Sequence, residues 1–405
     1  MRRKEAKKPM LEIQLNMYHA LALGAIMYWL GNLITDKVSF FNRFCIPAPL
    51  VGGLCFALSN TALRAAGIAT ITFDNTLETV FMVLFFTTVG FTVSIPQLMK
   101  GGKSVILLLI LGIVMIFVQN FLGGGVMVAM GQNPLYGIGC GAVALVGGPG
   151  TAAAIGPDLE AAGAVNAKAV SIAAATFGLV AGSLMGGPTS RRLINKYNLT
   201  AKTAAAETAV EEEGGPFTSD STTFTKGFMF ILVAAGIGNW VSAALTALCG
   251  FSFPPYIGAM FVAVIVRNVV DTMNLGYPGE EIETMGNMFL SLFLSMALSG
   301  LKLWLLVDLA LPILVCLAAQ IIVMFIFAYF VVFRVMGKDY DAAVMTAGFI
   351  GFGMGATSNA MANMQAVTRR YGPSPTAFFA IPMVGSLFID FFNAAIIAFN
   401  IGLWS

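Results

Sequence analysis

The chain has 405 residues, 58% of them hydrophobic and only 10% charged, with a formal net charge of +2. Soluble domains carry roughly 25% charged residues, so this chain cannot present an ordinary aqueous surface. Its 22 Lys and Arg are scattered and form no basic face for nucleic acid.

Taken in chain order, residues 1–12 form an N-terminal tail carrying Arg2, Arg3, Lys4, Lys7 and Lys8. A basic tail before an apolar run can mark a signal peptide. Ala20-Leu21-Ala22 resembles a cleavage site, but the run continues through Trp29, and the expectation is that Met10 is the native start. A membrane helix needs roughly 20 apolar residues. Runs of that size are Ile13–Thr35, Phe44–Leu63, Thr79–Met99 and Ser104 to about Met130, then Ala169–Ser190, Thr284–Leu301, Leu309–Phe333 and Pro375–Gly402. Gly227–Val266 is twice as long, and Cys249-Gly-Phe-Ser-Phe-Pro-Pro255 divides it into two spans. Two glycine-rich apolar pieces, about 135–158 and 342–366, stand beside complete spans and would spoil the count if they crossed. The expected fold is an all-α polytopic membrane protein with ten transmembrane helices. A first unit over 13–190 and a second over 227–405 flank a polar linker over 191–226, whose Glu211-Glu212-Glu213 reads as a solvated patch.

Lys and Arg prefer the cytoplasmic side. With residue 1 outside, fourteen basic residues (Arg191, Arg192, Arg267, Arg369 and Arg370 among them) fall inside. Only Arg64, Lys168 and Lys302 fall outside, apart from the five in the tail, so both termini are expected outside.

The two units keep a common order. Pro47-Ala-Pro49-Leu-Val-Gly52 opens one span and Pro254-Pro255-Tyr-Ile-Gly258 another; Gly147-Gly-Pro-Gly150-Thr151 and Gly353-Met-Gly355-Ala-Thr357 follow later. Five spans is an odd number, so the second copy enters the membrane upside down. Inverted repeats of this kind are a transporter signature, although duplication can also build a bundle that transports nothing.

Gly148-Pro149-Gly150 interrupts regular helix, because proline lacks an N–H and glycine gives up backbone entropy. Unwound backbone at membrane depth is tolerated where protein, water or a ligand satisfies it, and the freed groups can bind an anion or a cation. The pieces are therefore read as re-entrant hairpins, the first entering from outside and the second from the cytoplasm. Substrate-binding candidates are Gly148, Gly150, Thr151, Gly353, Gly355, Thr357, Ser358, Asn359, Gln365 and Arg369. The other reading of the glycines is close helix packing, since Gly137-xxx-Gly141 and Gly351-xxx-Gly355 fit the GxxxG pattern.

Asp390 sits mid-helix with Asn393 nearly one turn on. A central carboxylate costs roughly 2.5–3.5 kcal/mol to insert and so faces a cavity or a partner. Asp390, Asn393, Thr176 and Asn363 are the candidates for sodium, a hard cation that favours oxygen. A structural hydrogen bond is the other reading of Asp390. Asp308, Asp339 and Asp341 sit at span ends, and Thr87, Thr88 and Thr176 can satisfy their own helix backbone. Cys45, Cys55, Cys140, Cys249 and Cys316 lie in or beside apolar runs without a CxxC pair, and read as small apolar fillers. With His19 the only histidine, no transition-metal site, no cofactor site and no enzymatic nucleophile can be assembled.

These residues carry a family resemblance. Leu292-Phe-Leu-Ser-Met-Ala-Leu-Ser-Gly-Leu-Lys302-Leu-Trp304, Gly337-Lys-Asp-Tyr-Asp-Ala-Ala-Val344, Gly351-Phe-Gly-Met-Gly-Ala-Thr357, Ala362-Asn-Met-Gln-Ala366 and Pro382-Met-Val-Gly385 with Asp390 and Asn393 resemble the bacterial sodium/glutamate symporters. Ile46-Pro-Ala-Pro49, Thr176-Phe-Gly-Leu179 and Gly186-Gly-Pro188 extend the match. The resemblance implies sodium-coupled uptake of glutamate across the bacterial inner membrane. It also implies a homodimer whose hairpin-bearing domain moves against a scaffold, as in an elevator. The family's first loop typically reads Ser-Gly-Gly-His-Gly-Thr, where this chain has Val146-Gly-Gly-Pro149-Gly-Thr151. A sodium- or proton-coupled carrier of another small carboxylate or amino acid is the nearest alternative. A membrane receptor or channel, which needs no inverted repeat, is the alternative from another class.

Overall fold

A computed structural model describes residues 11–44, 46–100, 102–201, 219–249, 253–273, 275–305 and 309–404. The basic tail, the acidic run of the linker and Asp308 lie outside the described residues.

The chain opens on a short strand, β1 (Leu11–Leu15), which pairs in parallel with β2 (Ala69–Phe73), Leu11 opposite Ala69 and Leu15 opposite Phe73. This two-stranded piece departs from the all-helical expectation. The tail's last residues and the first three of the expected span over Ile13–Thr35 are extended, and Asn16 ends them by accepting the His19 N–H to cap the first helix. The helices are α1 (Met17–Lys37), α2 (Ser39–Arg43), α3 (Ala48–Ala65), α4 (Thr76–Phe91), α5 (Ile95–Lys100), α6 (Gly102–Ala129), α7 (Pro134–Ile138), α8 (Gly148–Ala161), α9 (Ala167–Tyr197) and α10 (Ser221–Cys249). They continue with α11 (Pro255–Met273), α12 (Gly279–Ser299), α13 (Ala310–Phe327), α14 (Phe333–Val335), α15 (Tyr340–Gly353), α16 (Thr357–Tyr371), α17 (Pro375–Pro382) and α18 (Ile389–Trp404). Prolines mark many of the starts: Pro49, Pro134, Pro149, Pro255 and Pro375 all stand in a first turn, where a missing N–H removes no bond. π-helical segments follow α7 and join α13 to α14 and α17 to α18.

Among the described residues, eight helices are long and apolar enough to cross a membrane. They include α17 and α18 as one run, Pro375–Trp404, and α13 through α14 as Ala310–Val335. The linker is shorter than its polar composition suggests, because α9 runs on to Tyr197 and α10 begins at Ser221. The expected span Thr79–Met99 is two pieces, α4 and the short α5, separated by Thr92–Ser94.

The helices sort into two packed groups. α1, α3, α4, α10, α11 and α12 form one. Its crossings are set by paired glycines: a Cβ on Gly52 would fall on the Met27 carbonyl of α1, and one on Gly258 would fall on the Gly238 carbonyl of α10. The other group holds α6 to α9 and α13 to α18. Here Gly137 and Gly123 bring α7 against α6, and Gly351 brings α15 against Ala360 of α16. The packing reading of the GxxxG glycines therefore holds for Gly137 and Gly351.

Candidate functional site

Both glycine-rich pieces are pairs of helical segments separated by a break, with their outer ends bonded together. In the first, Asn133 Nδ2 donates to the Gly163 carbonyl (3.3 Å) and the Tyr136 hydroxyl to the Val165 carbonyl (2.8 Å). The break follows at 146–147, and Gly148 takes φ +66°. That left-handed backbone is open to glycine and strained for other residues. In the second, the Tyr340 hydroxyl donates to the Gly372 carbonyl, and Ser374 Oγ to Asp341 Oδ1 at 2.5 Å. Its break lies at 354–356. Chain that begins and ends at one place must turn between, and the two turns meet: a Cβ built on Gly148 would lie 2.9 Å from the Gly355 carbonyl oxygen.

Buried amides hold these breaks. Gln119 Nε2 donates to the Gly353 carbonyl (2.8 Å), and Gln320 Nε2 to the Gln119 carbonyl (2.8 Å). Asn120 Oδ1 accepts the Ala142 N–H (3.0 Å), while Asn393 Nδ2 donates to the Ala142 carbonyl (3.2 Å). Gly141 in this stretch has non-helical dihedrals, and the Ala142 N–H takes its partner from the Asn120 side chain. Asn359 Nδ2 and Asn363 Nδ2 donate to the Leu179 (2.8 Å) and Gly182 (3.0 Å) carbonyls of α9.

A cavity of about 850 Å³ opens between the two groups of helices and receives both breaks. Of the sequence-derived candidates, Gly148, Gly150, Thr151, Gly355, Thr357, Ser358 and Asp390 line it. Gly353 stands behind the second break, its carbonyl taken by Gln119. Asn359, Asn363 and Asn393 are buried tethers of backbone carbonyls. Thr176 Oγ1 donates to its own helix at Ile172 (2.9 Å), as do Thr87 and Thr88 to Val83 and Phe85 (both 2.7 Å). Gln365 and Arg369 are exposed toward the far end of α16, away from the cavity. The arginine in the cavity wall is Arg267. Its Nε pairs with Asp271 Oδ2 (2.9 Å) and its guanidinium lies 3.5 Å over the Tyr277 ring, with Glu280 and Glu283 nearby in the lining. Position at a span end makes Arg267 look like an interfacial anchor in sequence; the signal to the contrary is Asp271 one helical turn on.

The chemistry available is that of a charged small molecule and an ion. α8 and α16 both start at the cavity, and neither has a side-chain cap, so their first-turn N–H groups are free to face an anion. Pro149 fits this first turn, where its ring removes no hydrogen bond. Opposite, the π-segment Met383–Phe388 precedes Asp390, and its Gly385, Ser386 and Leu387 line the cavity. Thr357 Oγ1 donates to the Gly385 carbonyl (2.8 Å) and Thr92 Oγ1 to the Leu387 carbonyl (3.1 Å). Asp390 is half-buried and takes no hydrogen bond from the described residues.

A family model described as sodium/glutamate symporter matches residues 13–373. The chain is 40% identical over 383 residues to a sodium/glutamate symporter of Escherichia coli (strain K12), covering 93% of this chain and 95% of that one. It is 37% identical over 387 residues to one of Haemophilus influenzae, covering 94% and 96%. Broken helices meeting at a cavity, apolar spans around them and this extent of similarity lead to one conclusion: the chain is a multi-pass membrane transporter, not an enzyme, and belongs to the sodium/glutamate symporter family.

Proposed function

We propose that this protein carries glutamate into the cell together with sodium, across the bacterial inner membrane, by alternating access. The observation that carries the reading is the cavity lined together by two helix starts without side-chain caps, Asp390 and the π-segment residues Gly385, Ser386 and Leu387. The helix starts and their glycine N–H groups receive the substrate carboxylate. Gly148, Gly150, Thr151, Gly355, Thr357 and Ser358 line that position, and Arg267 offers a guanidinium at the wall. Asp390, with the Gly385 and Leu387 carbonyls and the Ser386 hydroxyl, supplies oxygen to sodium. Asn393, Asn363, Asn359 and Gly353 keep these groups in place through backbone tethers.

The wider architecture in this reading is ten spans in two inverted five-span repeats, each with a re-entrant hairpin. Several pairings support it. Asn133 and Asp339 each cap the start of a glycine-rich piece with a side-chain oxygen, and Gly31–Gly52 and Gly238–Gly258 make matching helix crossings. The group containing α1 and α10 then serves as a scaffold and as the homodimer contact, and the hairpin-bearing group travels as an elevator. By the distribution of Lys and Arg, the end holding Arg267 and Lys338 is cytoplasmic and both termini are outside. The cavity opens among residues of that cytoplasmic end, namely Pro47, Thr92, Arg267 and Tyr277.

Val146 and Pro149 line the cavity where the family's usual loop offers a hydroxyl and an imidazole. This favours one second reading, a carrier of another small dicarboxylate or amino acid. Competition of labelled glutamate uptake by aspartate, glutamine and citrate separates the two: sodium-dependent uptake displaced only by glutamate supports the first, and preferential uptake of another compound replaces it.

A further inference from the structure

Glu78 and Lys168 form an ion pair at 2.5 Å, with side chains 9% and 14% exposed. Glu78 is in the first turn of α4, in the group with α1 and α10; Lys168 opens α9, in the hairpin-bearing group. The pair therefore bridges the two groups. A second bond bridges them beside it, as the Tyr256 hydroxyl at the start of α11 donates to Asp158 Oδ2 of α8 (2.9 Å). Tyr256 is 2% exposed and lies ring to ring with Phe86 (4.9 Å), itself part of the cavity wall, so it packs behind that wall. Both bonds sit at the end of the molecule that holds β1 and β2, where α3 ends and α4, α9 and α11 begin. The cavity opens toward the opposite end, where α4 and α11 finish and α12 begins. There the crossing contact at the wall is neutral, Thr92 Oγ1 to Leu387.

We infer that Glu78–Lys168 and Tyr256–Asp158 form a latch that holds the transporter closed on the β-strand side while the cavity is open on the other. The partners on the hairpin-bearing side act as one unit. Gly156 of α8 packs directly on Lys168 of α9, and the Lys168 N–H donates to Glu160 (3.1 Å). One displacement of α8 and α9 past the starts of α4 and α11 therefore breaks both bonds together. Breaking a sequestered ion pair leaves each charge seeking water, which the opened side supplies, so the latch resists opening without forbidding it. It selects a conformation and touches neither substrate nor ion. The inference rests on the alternating-access reading above but not on the identity of what is carried.

The test is cysteine accessibility. In a variant with the five native cysteines replaced, Asn287→Cys places one thiol in the cavity wall. Its labelling by a membrane-impermeant maleimide is measured in inside-out and right-side-out vesicles, without glutamate. Glu78→Gln and Lys168→Gln each lower labelling from the cavity's open side by about fivefold or more, the lower range of conformational couplings. The exchanged pair Glu78→Lys with Lys168→Glu restores it. Tyr256→Phe, which removes one hydroxyl and keeps the ring, shifts labelling in the same direction even if the charge variants fold poorly. Unchanged labelling in Tyr256→Phe and in the folded charge variants overturns the latch, as does an exchanged pair that stays at the level of the single variants. Absence of glutamate uptake by the wild type, with labelling that still shifts in the variants as described, counts against the substrate assignment alone.

Discussion

Replacing Gly148 by alanine tests the meeting of the two breaks. Gly148 holds φ +66°, and its added Cβ would stand 2.9 Å from the Gly355 carbonyl oxygen. Left-handed backbone costs about 1–2 kcal/mol for an L-residue. The carbonyl it meets is backbone, so relief requires the two turns to part. Together these amount to about 2 kcal/mol against the observed arrangement, or roughly a 30-fold fall in its population. Sodium-driven glutamate uptake into proteoliposomes should drop by about tenfold or more, while the protein still purifies as a monodisperse species. Gly125→Ala in α6 is the control, with no atom within 4 Å of its new Cβ; it should transport normally and gain up to about 1 kcal/mol from helix propensity. Gly150→Ala meets the flexible tip of Leu290 at 3.1 Å and should fall between them. Wild-type uptake by Gly148→Ala would refute the reasoning that the turns are in obligatory contact.

Three further outcomes follow from the packing. Gly52→Ala and Gly258→Ala each place a Cβ on a facing carbonyl, of Met27 and Gly238, and should lower the thermal unfolding midpoint in detergent far more than Gly125→Ala does. Gln119→Leu leaves the buried Gly353 carbonyl without its donor, at about 1–3 kcal/mol, so both the midpoint and the uptake rate should fall. Arg267→Gln should raise the half-saturating glutamate concentration measured from the cytoplasmic side, and Arg267→Lys should recover part of the loss, since lysine keeps the charge without the fork.

Much of this fold is legible because a bilayer leaves the backbone few choices. Apolar runs give α6 and the span over α13 and α14 to within two residues at each end, and the start of α9 but not its polar last seven residues, and Gly148-Pro149-Gly150 marks the first break. What the run of residues hides is pairing at a distance. Asn359 and Asn363 look like ligands because they follow a break, yet they tie α16 to α9 across some 180 positions. Arg267 reads as one more cytoplasmic cation until Tyr277 and Asp271 fix it in the cavity wall. The strand pairing of Leu11–Leu15 with Ala69–Phe73 is invisible because each is five residues long and continuous with apolar sequence. Asp390 and Thr357 were legible because polar groups at membrane depth need a reason to be there, and both reach the cavity.

The central claim, sodium-coupled carriage of glutamate through this cavity, meets its most direct test in one comparison. Uptake of labelled glutamate is measured in proteoliposomes with an inward sodium gradient and with sodium replaced by potassium, for the wild type and for Asp390→Ala. The account predicts concentrative uptake by the wild type only with sodium, and loss of that sodium stimulation in Asp390→Ala with the fold intact. Uptake indifferent to sodium, or an Asp390→Ala variant with wild-type rate and sodium affinity, would contradict it.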